Sequence, residues 1–319
     1  MAAWLVCGLL ALLGRAAASP AYLARADLVR SACAVALLPA AIELYARTPL
    51  LSTPAPLPRL SFPAGVQRVC IVLPGLGGPD ATSQEIVRAL SDRDTAVLQI
   101  DWRNGADQLR APFVAQRVGE SLGADLAAQL RGEGGSSVLS LHVIGISAGG
   151  FVADALLSTV ARSLRGVQSN ASPQVDPSAQ QPQLPSLRAG PHSQRSASPH
   201  LRLTLCDAFT ARGLLGFARP QTAYGVSRFG ASADFCEAFL NTDDPVPSTA
   251  LPLKSAVNYD VTEAEARKTF TPQPGDSLHA WPAAWYGSNV RGILRREGGL
   301  RPYHGVDGTP LRGSVCKVP

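Results

Sequence analysis

A serine lies in a short glycine-flanked motif, Gly145-Ile146-Ser147-Ala148-Gly149, between an apolar strand-like run and a helix-like segment. A turn this sharp leaves no room for side chains at Gly145 and Gly149, and it lifts the Ser147 hydroxyl away from the strand. A serine exposed in this way can act as a nucleophile. Only three positions of the motif are fixed, so an ordinary strand–turn–helix junction with a surface serine is the alternative interpretation.

A serine nucleophile needs a base, usually histidine, and a carboxylate that orients the imidazole. In α/β-hydrolases, whose nucleophile turn has this pattern, the order along the chain is serine, acid, histidine. Three of the five histidines precede the candidate acids: His142, His192 and His200. His279, which lies beside an aromatic cluster, and His304, in a Gly-rich tail, remain. We expect His279 to be the base, and a surface loop histidine is the alternative.

Three aspartates are candidates for the acid. Asp207 ends a predicted strand, which places it at the same edge of the sheet as Ser147. Asp243 and Asp244 follow the next predicted strand and can reach the same edge, although a role in turn formation before a proline is the alternative for them. We therefore favour Asp207, with Asp243 and Asp244 as alternative acids.

An ester-cleaving serine also needs two backbone N–H groups that bind the developing oxyanion. The residue after the nucleophile, Ala148, supplies one in this type of site. The glycine-rich loop Pro74–Pro79 follows an early strand and predicts Leu76 as the second donor. The same loop could bind phosphate, but it lacks the glycine and lysine spacing of known phosphate loops.

Strand-like and helix-like segments alternate along the chain, which predicts an α/β protein with a mostly parallel central sheet flanked by helices, the α/β-hydrolase fold. The predicted strands are 66–73, 95–100, 138–144, 201–207 and 235–240, and the predicted helices include one ending near residue 90, 112–130 and 151–161. Residues 292–319 are predicted to wrap the surface.

The composition indicates one large domain after an N-terminal leader. The chain has 319 residues, 46% of them hydrophobic, which suffices for a substantial core. Residues 1–18 resemble a signal peptide, 19–64 contain an apolar segment and a Pro-rich linker, and 65–319 form the hydrolase domain with a disordered insertion at 165–200. The leader predicts the secretory pathway or the extracellular space. A bipartite organelle leader, with membrane association, is the alternative.

Charge and cysteine usage narrow the classes of partner. The net charge is +5, but no basic stripe is interleaved with aromatic residues, so nucleic acid is not an expected partner. The basic balance is compatible with contact at an anionic membrane surface. No His/Cys spacing indicates a metal, and we expect no cofactor. Cys236 and Cys316 could form a disulfide, whereas Cys70 and Cys206 are expected to be buried thiols.

Several segments resemble the pancreatic-lipase family: the Asp-Trp segment 95–106, the strand and turn 142–149, the segment 233–243, and the His-x-Trp-Pro turn 279–282. The resemblance implies that the acid follows the strand after the nucleophile strand, which is the position of Asp207. The separation of Ser147 and Asp207 along the chain is similar to the family's spacing once residues 166–199 are left out of the count. The chain departs from the family at Pro74, where the family has histidine, and we expect it to lack the family's C-terminal β-sandwich domain.

These patterns predict a serine hydrolase that cleaves carboxylic esters, chiefly lipid esters, through an acyl-enzyme. No cysteine pair brackets a lid before His279, as one does in the pancreatic-lipase family. By analogy with that family, a shorter lid would leave a more open cleft, which favours phospholipids, galactolipids or smaller esters over triglycerides. Two alternatives use the same residues. One is a non-catalytic binding protein with the hydrolase fold, and the other is an acyltransferase or thioesterase.

Overall fold

The computed structural model describes residues 60–103, 110–132, 135, 137–169, 198–212, 223–273, 277–295 and 311–318. All of them belong to one compact unit, Pro49–Pro319. The predicted leader, most of the Pro-rich linker, residues 170–197 of the predicted insertion, and both His192 and His304 lie outside the described residues.

The described residues form a seven-stranded sheet in which every neighbouring pair is parallel. The strands are β1 (Arg68–Leu73), β2 (Thr95–Gln99), β3 (Ser140–Ile146), β4 (His200–Cys206), β5 (Phe235–Leu240), β6 (Val257–Asp260) and β7 (Val315–Lys317). Their order across the sheet is β2-β1-β3-β4-β5-β6-β7. The ends of β3, β4 and β5 therefore lie side by side at one edge, which is where chemistry is expected in such sheets.

Helices cover both faces of the sheet. They are α1 (Ala81–Leu90), α2 (Ala111–Arg131), α3 (Gly149–Ser169), α4 (Tyr224–Arg228) and α5 (Trp281–Arg295), with 3₁₀ turns at Glu265–Thr269 and Leu278–Ala280. Alternate residues of β1 point to opposite faces: Val69 and Ile71 pack with α2 and α3, whereas Cys70 and Val72 pack with α1 and α5. Burial on both faces explains why β1 is apolar almost throughout.

Helices α2 and α3 cross closely because glycines line the contact. A Cβ atom at Gly119 would lie 2.4 Å from the Val152 carbonyl oxygen, and one at Gly123 would lie 2.6 Å from that of Leu156. Both distances are too short for a side chain, so these glycines let the two helices approach. The crossing fixes the start of α3, which carries the end of the serine turn.

The architecture is the α/β-hydrolase fold, as predicted, and the differences lie at the edges of elements. Helix α3 runs to Ser169, so residues 165–169 of the predicted insertion are helical. Strands β6 and β7 and helix α5 have no counterpart among the predicted elements. Cys236 and Cys316 are both free thiols. No helix in the described ranges has both the length and the apolar character of a membrane span.

Candidate active site

Ser147 lies in the tight turn between β3 and α3. Its φ is 51°, a left-handed conformation that non-glycine residues adopt rarely and mostly where the surroundings enforce it. A Cβ atom at Gly145 would lie 2.8 Å from Gly150 Cα, and one at Gly149 would lie 2.2 Å from the Leu73 carbonyl oxygen. The turn therefore requires both glycines. The Ser147 N–H donates to the Cys206 carbonyl at 3.0 Å, which ties the turn to the end of β4.

The loop after β1 lies directly against this serine. A Cβ atom at Gly75 would be 3.2 Å from Ser147 Cβ and 3.8 Å from its Oγ. The next residue is Leu76, whose N–H has no acceptor among the described residues, and the N–H of Ala148 has none either. Two free backbone donors thus belong to the two segments that border Ser147, as an oxyanion hole requires.

The segment after β2 holds that loop in place. The Trp102 indole N–H donates to the Pro74 carbonyl at 2.6 Å, and Arg103 Nη1 donates to the Gly77 carbonyl at 2.7 Å. The Asp101 carboxylate also binds Arg103. Its Oδ1 accepts from Nε at 2.8 Å, and its Oδ2 accepts from Nη2 at 2.6 Å. The loop that carries the Leu76 N–H is therefore held in place by the segment after β2.

Two carboxylates converge on the imidazole of His279. Its Nδ1 lies 3.0 Å from Asp207 Oδ2 and 2.7 Å from Asp244 Oδ2. Asp207 follows β4 with a φ of 45°, and Asp244 lies in the loop after β5. The favoured candidate Asp207 and the alternative Asp244 therefore both contact His279. The other alternative, Asp243, is exposed and makes no contact with His279.

The 3₁₀ turn Leu278–Ala280 positions His279. The Ser277 side chain caps this turn by accepting from the His279 N–H at 3.2 Å. The Asn241 side-chain amide donates to the Leu278 carbonyl at 3.0 Å, which ties the turn to the end of β5. His279 is therefore held by contacts to the same sheet edge that carries Asp207 and Asp244.

The two carboxylates have different surroundings. Asp244 accepts from the Val246 N–H at 3.0 Å and from the Thr249 hydroxyl, whereas Asp207 accepts from the Asn241 N–H at 3.3 Å. Burial raises the pKa of Asp207, and the contact with Asp244 adds to this, so that the pKa is about 7 despite the opposing effect of His279. Burial also acts on Asp244, but hydrogen bonds from His279, Asp207 and Thr249 outweigh it and lower the pKa to about 2.

The pKa of His279 reflects both acids. Burial alone would lower it, but the hydrogen bonds and negative charges of Asp207 and Asp244 outweigh burial and raise the pKa to about 9. Nδ1 faces the carboxylates, so Nε2 is the nitrogen left for substrate chemistry. Nε2 is buried and has no hydrogen-bond partner, and no hydrogen bond joins it to Ser147 within the described part of the chain.

The same three residues are the one group in the described ranges that could hold a metal ion. Asp207, Asp244 and His279 offer three ligand atoms within 4.8 Å of one another. A cation bound there would take Nδ1 away from the carboxylates, because a ligating nitrogen cannot keep its proton. Metal binding and acid-supported proton transfer therefore exclude one another at this position.

The remaining histidines of the described chain lie away from this edge. His142 is buried in β3, where its Nε2 lies 2.8 Å from the Thr204 hydroxyl. His200 begins β4, at the opposite end of the strand from Asp207. The sheet therefore places His142 in its interior and His200 at the edge opposite the one that carries Asp207 and His279.

No protein-family model and no curated protein match the chain. A lipase/esterase from Lactobacillus plantarum is 14% identical, with 58% of this chain and 71% of that chain covered and a TM-score of 0.34. A carboxylesterase from the same species is 12% identical, with 73% and 86% covered and a TM-score of 0.38.

A thermophilic esterase from the planctomycete Thermogutta terrifontis is also similar in structure. It is 14% identical, with 59% of this chain and 64% of that chain covered and a TM-score of 0.31. All three TM-scores are below 0.5, so the fold assignment rests on the sheet order, the helical layers and the serine turn themselves.

Proposed function

We propose that this protein is a serine hydrolase that cleaves carboxylic esters. The observation that carries the proposal is the buried pair of carboxylates on His279 Nδ1, at the strand edge where Ser147 lies in a strained turn. A carboxylate behind an imidazole orients the ring and stabilises its positive charge, which is how a histidine activates a serine.

The proposed reaction has two half-reactions. Ser147 Oγ attacks the ester carbonyl while His279 Nε2 takes the hydroxyl proton, and the oxyanion accepts from the N–H groups of Leu76 and Ala148. The alcohol leaves with the proton from Nε2, and the acyl group remains on Ser147. Water then attacks the acyl-enzyme with His279 again acting as base, which releases the carboxylic acid and free serine.

The resemblance to the pancreatic-lipase family supports lipid esters as the substrate class, and the proposed membrane-surface contact would bring the enzyme to them. Asp207, directly after β4, has the position that this resemblance implies for the acid, whereas Asp244 lies in the loop after the next strand, β5. Acyl transfer uses the same residues, with an alcohol or thiol in place of water. Products formed with and without added alcohol distinguish the two reactions.

Labelling with a serine-directed fluorophosphonate tests the proposal. Wild-type protein should react covalently, and Ser147→Ala and His279→Ala should abolish or strongly reduce labelling together with the hydrolysis of short-chain esters. Ser91→Ala is the matched control, since its hydroxyl only caps the end of α1 by donating to the Val87 carbonyl. Absence of labelling in the wild type, or undiminished labelling in Ser147→Ala, would favour the non-catalytic binding protein.

A further inference from the structure

We propose that Arg212 binds an anionic group, a phosphate or carboxylate, on the alcohol portion of the ester substrate. This inference rests on the proposed function and narrows its substrate class to anionic esters. It depends on three observations: the position of Arg212 relative to Ser147, the aromatic rings that hold its guanidinium, and the absence of an acidic partner in the described part of the chain.

Arg212 follows closely after a residue that is hydrogen-bonded to the nucleophile. The Phe209 N–H donates to the Ser147 carbonyl at 3.1 Å, and Arg212 is three residues further along the chain. Three residues span at most about 10 Å. The arginine backbone is therefore close enough for its long side chain to reach a group attached to an ester at Ser147.

Two rings from the helices around the serine turn hold the guanidinium. Arg212 Cζ lies 4.6 Å from the centre of the Phe113 ring, in the first turn of α2, and 4.9 Å from that of Tyr224. Tyr224 in turn stacks on Phe151, in the first turn of α3, at 5.8 Å. The cation is thus pre-positioned by rings of α2 and α4, and the ring of α4 packs on α3, the helix that follows Ser147.

Ring contacts engage the flat face of a guanidinium and leave the N–H donors in its plane available. No carboxylate and no hydrogen-bond acceptor in the described ranges pairs with Arg212, which is only partly exposed. Helix α2 adds to the positive potential, because its N-terminus lacks both a side-chain cap and an acidic residue in the first turn. A planar oxyanion that accepts two hydrogen bonds matches this arrangement.

Soluble substrates of matched acyl chain test the inference without a lipid surface. The pair is butyryl glycerol 3-phosphate and monobutyryl glycerol, compared by kcat/KM. The wild type should prefer the phosphate ester by about tenfold or more, the scale of one charge-assisted hydrogen bond. In Arg212→Ala the ratio should fall towards one, and Arg212→Lys, which keeps a point charge, should retain part of it. Arg117→Ala, an exposed arginine on α2, is the matched control and should keep the full preference.

A second measurement separates this inference from the proposed function. Binding of glycerol 3-phosphate to Ser147→Ala is measured by calorimetry, with and without Arg212→Ala, and the second change should weaken it about tenfold. If neither ester is cleaved but binding depends on Arg212, the proposed function fails and the anion site stands. Ester cleavage with no anionic preference in the wild type, or the same preference in Arg212→Ala, would overturn the anion site alone.

Discussion

At the scale of single residues, the unusual feature is one imidazole with two buried carboxylates. Two ionised carboxylates this close repel each other, so the pair holds a proton over part of the pH range. The donors around Asp244 keep it ionised, while the pKa of Asp207 is raised to about 7. Asp244 is therefore the charged partner of His279 at acidic pH, and Asp207 joins it as the pH rises through neutrality.

The acid pair predicts that each carboxylate can replace the other in part. Asp207→Asn or Asp244→Asn alone should lower kcat for ester hydrolysis about tenfold, because one carboxylate still faces Nδ1, whereas the double variant should lose about 10⁴-fold, the loss expected when a triad acid is removed. Steady-state kinetics of the single and double variants measure this.

Asp243→Asn is the matched control, because this neighbouring aspartate is exposed and makes no contact with His279. If one single variant already loses as much as the double variant, only that aspartate supports the histidine and the shared arrangement is wrong.

The pH dependence of activity follows from the raised pKa of His279. A general base must be neutral, so kcat/KM should rise with pH through the folded-state pKa of about 9 rather than near the ordinary value of 6.5. Asp244→Asn removes a negative charge that favours the imidazolium, and the acidic limb should then move to lower pH. A pH profile of kcat/KM for wild type and variant measures both. An acidic limb near 6.5 in the wild type, or one that Asp244→Asn leaves in place, would contradict this prediction.

The sequence named the serine, the histidine and both contacting aspartates, but it could not show that two acids share one nitrogen. Strand ends predicted which side chains reach the same edge, since that depends only on the alternation of elements. The sharing depends instead on the loop after β5, where turn residues place Asp244 inward and Asp243 outward. The approach of Asp244 to His279 is a tertiary contact between segments that lie far apart in the chain, and such a contact cannot be predicted from a local pattern.

At the scale of elements, the loop Pro74–Pro79, which carries the proposed oxyanion donor Leu76, depends on the segment after β2. Arg103 binds the Gly77 carbonyl and packs against Gly78, where a Cβ atom would lie 2.2 Å from its Cζ. Gly78 also has a φ of 88°, so the loop and the arginine fit only with glycine there. Arg103 is therefore proposed as a positioning residue.

Arg103→Ala should lower kcat about tenfold with little change in KM, because displacing the proposed oxyanion donor Leu76 affects the transition state more than substrate binding. Arg103→Lys should recover part of kcat through a hydrogen bond to the Gly77 carbonyl. Both parameters are measured with a short-chain ester. Arg88→Ala, which removes an exposed arginine from α1, serves as the control. An effect on KM alone would indicate that the loop binds substrate without stabilising the transition state.

The sequence predicted the first five strands well because each is a short apolar run bounded by turn residues. Strand β5 begins and ends where predicted, at Phe235 and Leu240. The last elements were missed for physical reasons. Strand β6 has only four residues, and β7 is a three-residue edge strand with exposed side chains, so neither carries an apolar pattern. Their pairing depends on contacts such as the Asn258 side chain to the Ser314 carbonyl.

At the scale of the whole molecule, a polar chain crosses the middle of the otherwise apolar sheet. His142 on β3 lies 2.8 Å from the Thr204 hydroxyl on β4, which donates to Glu237 on β5 at 2.6 Å. Arg202 neutralises Glu237 through a 2.7 Å ion pair. Burial and the nearby Arg202 hold the pKa of His142 well below its usual range, so a neutral imidazole can donate to Thr204. Parallel register aligns these residues across three strands.

This network predicts a large cost when its acid is removed. Only 1% of the Glu237 side chain is exposed, so Glu237→Ala would leave the guanidinium of Arg202 without its counter-charge and Thr204 without its acceptor. We expect a loss of about 3–5 kcal/mol in the free energy of unfolding, against about 1–3 kcal/mol for Glu237→Gln, which keeps an acceptor for Thr204. Chemical denaturation measures both. Glu85→Ala, which breaks an exposed ion pair with Arg88, should cost less than about 1 kcal/mol. Equal losses of unfolding free energy in Glu237→Ala and Glu85→Ala would mean that the sheet core tolerates an unpaired arginine. The network would then contribute little to holding together β3, β4 and β5, the three strands that lead to Ser147, Asp207 and Asp244.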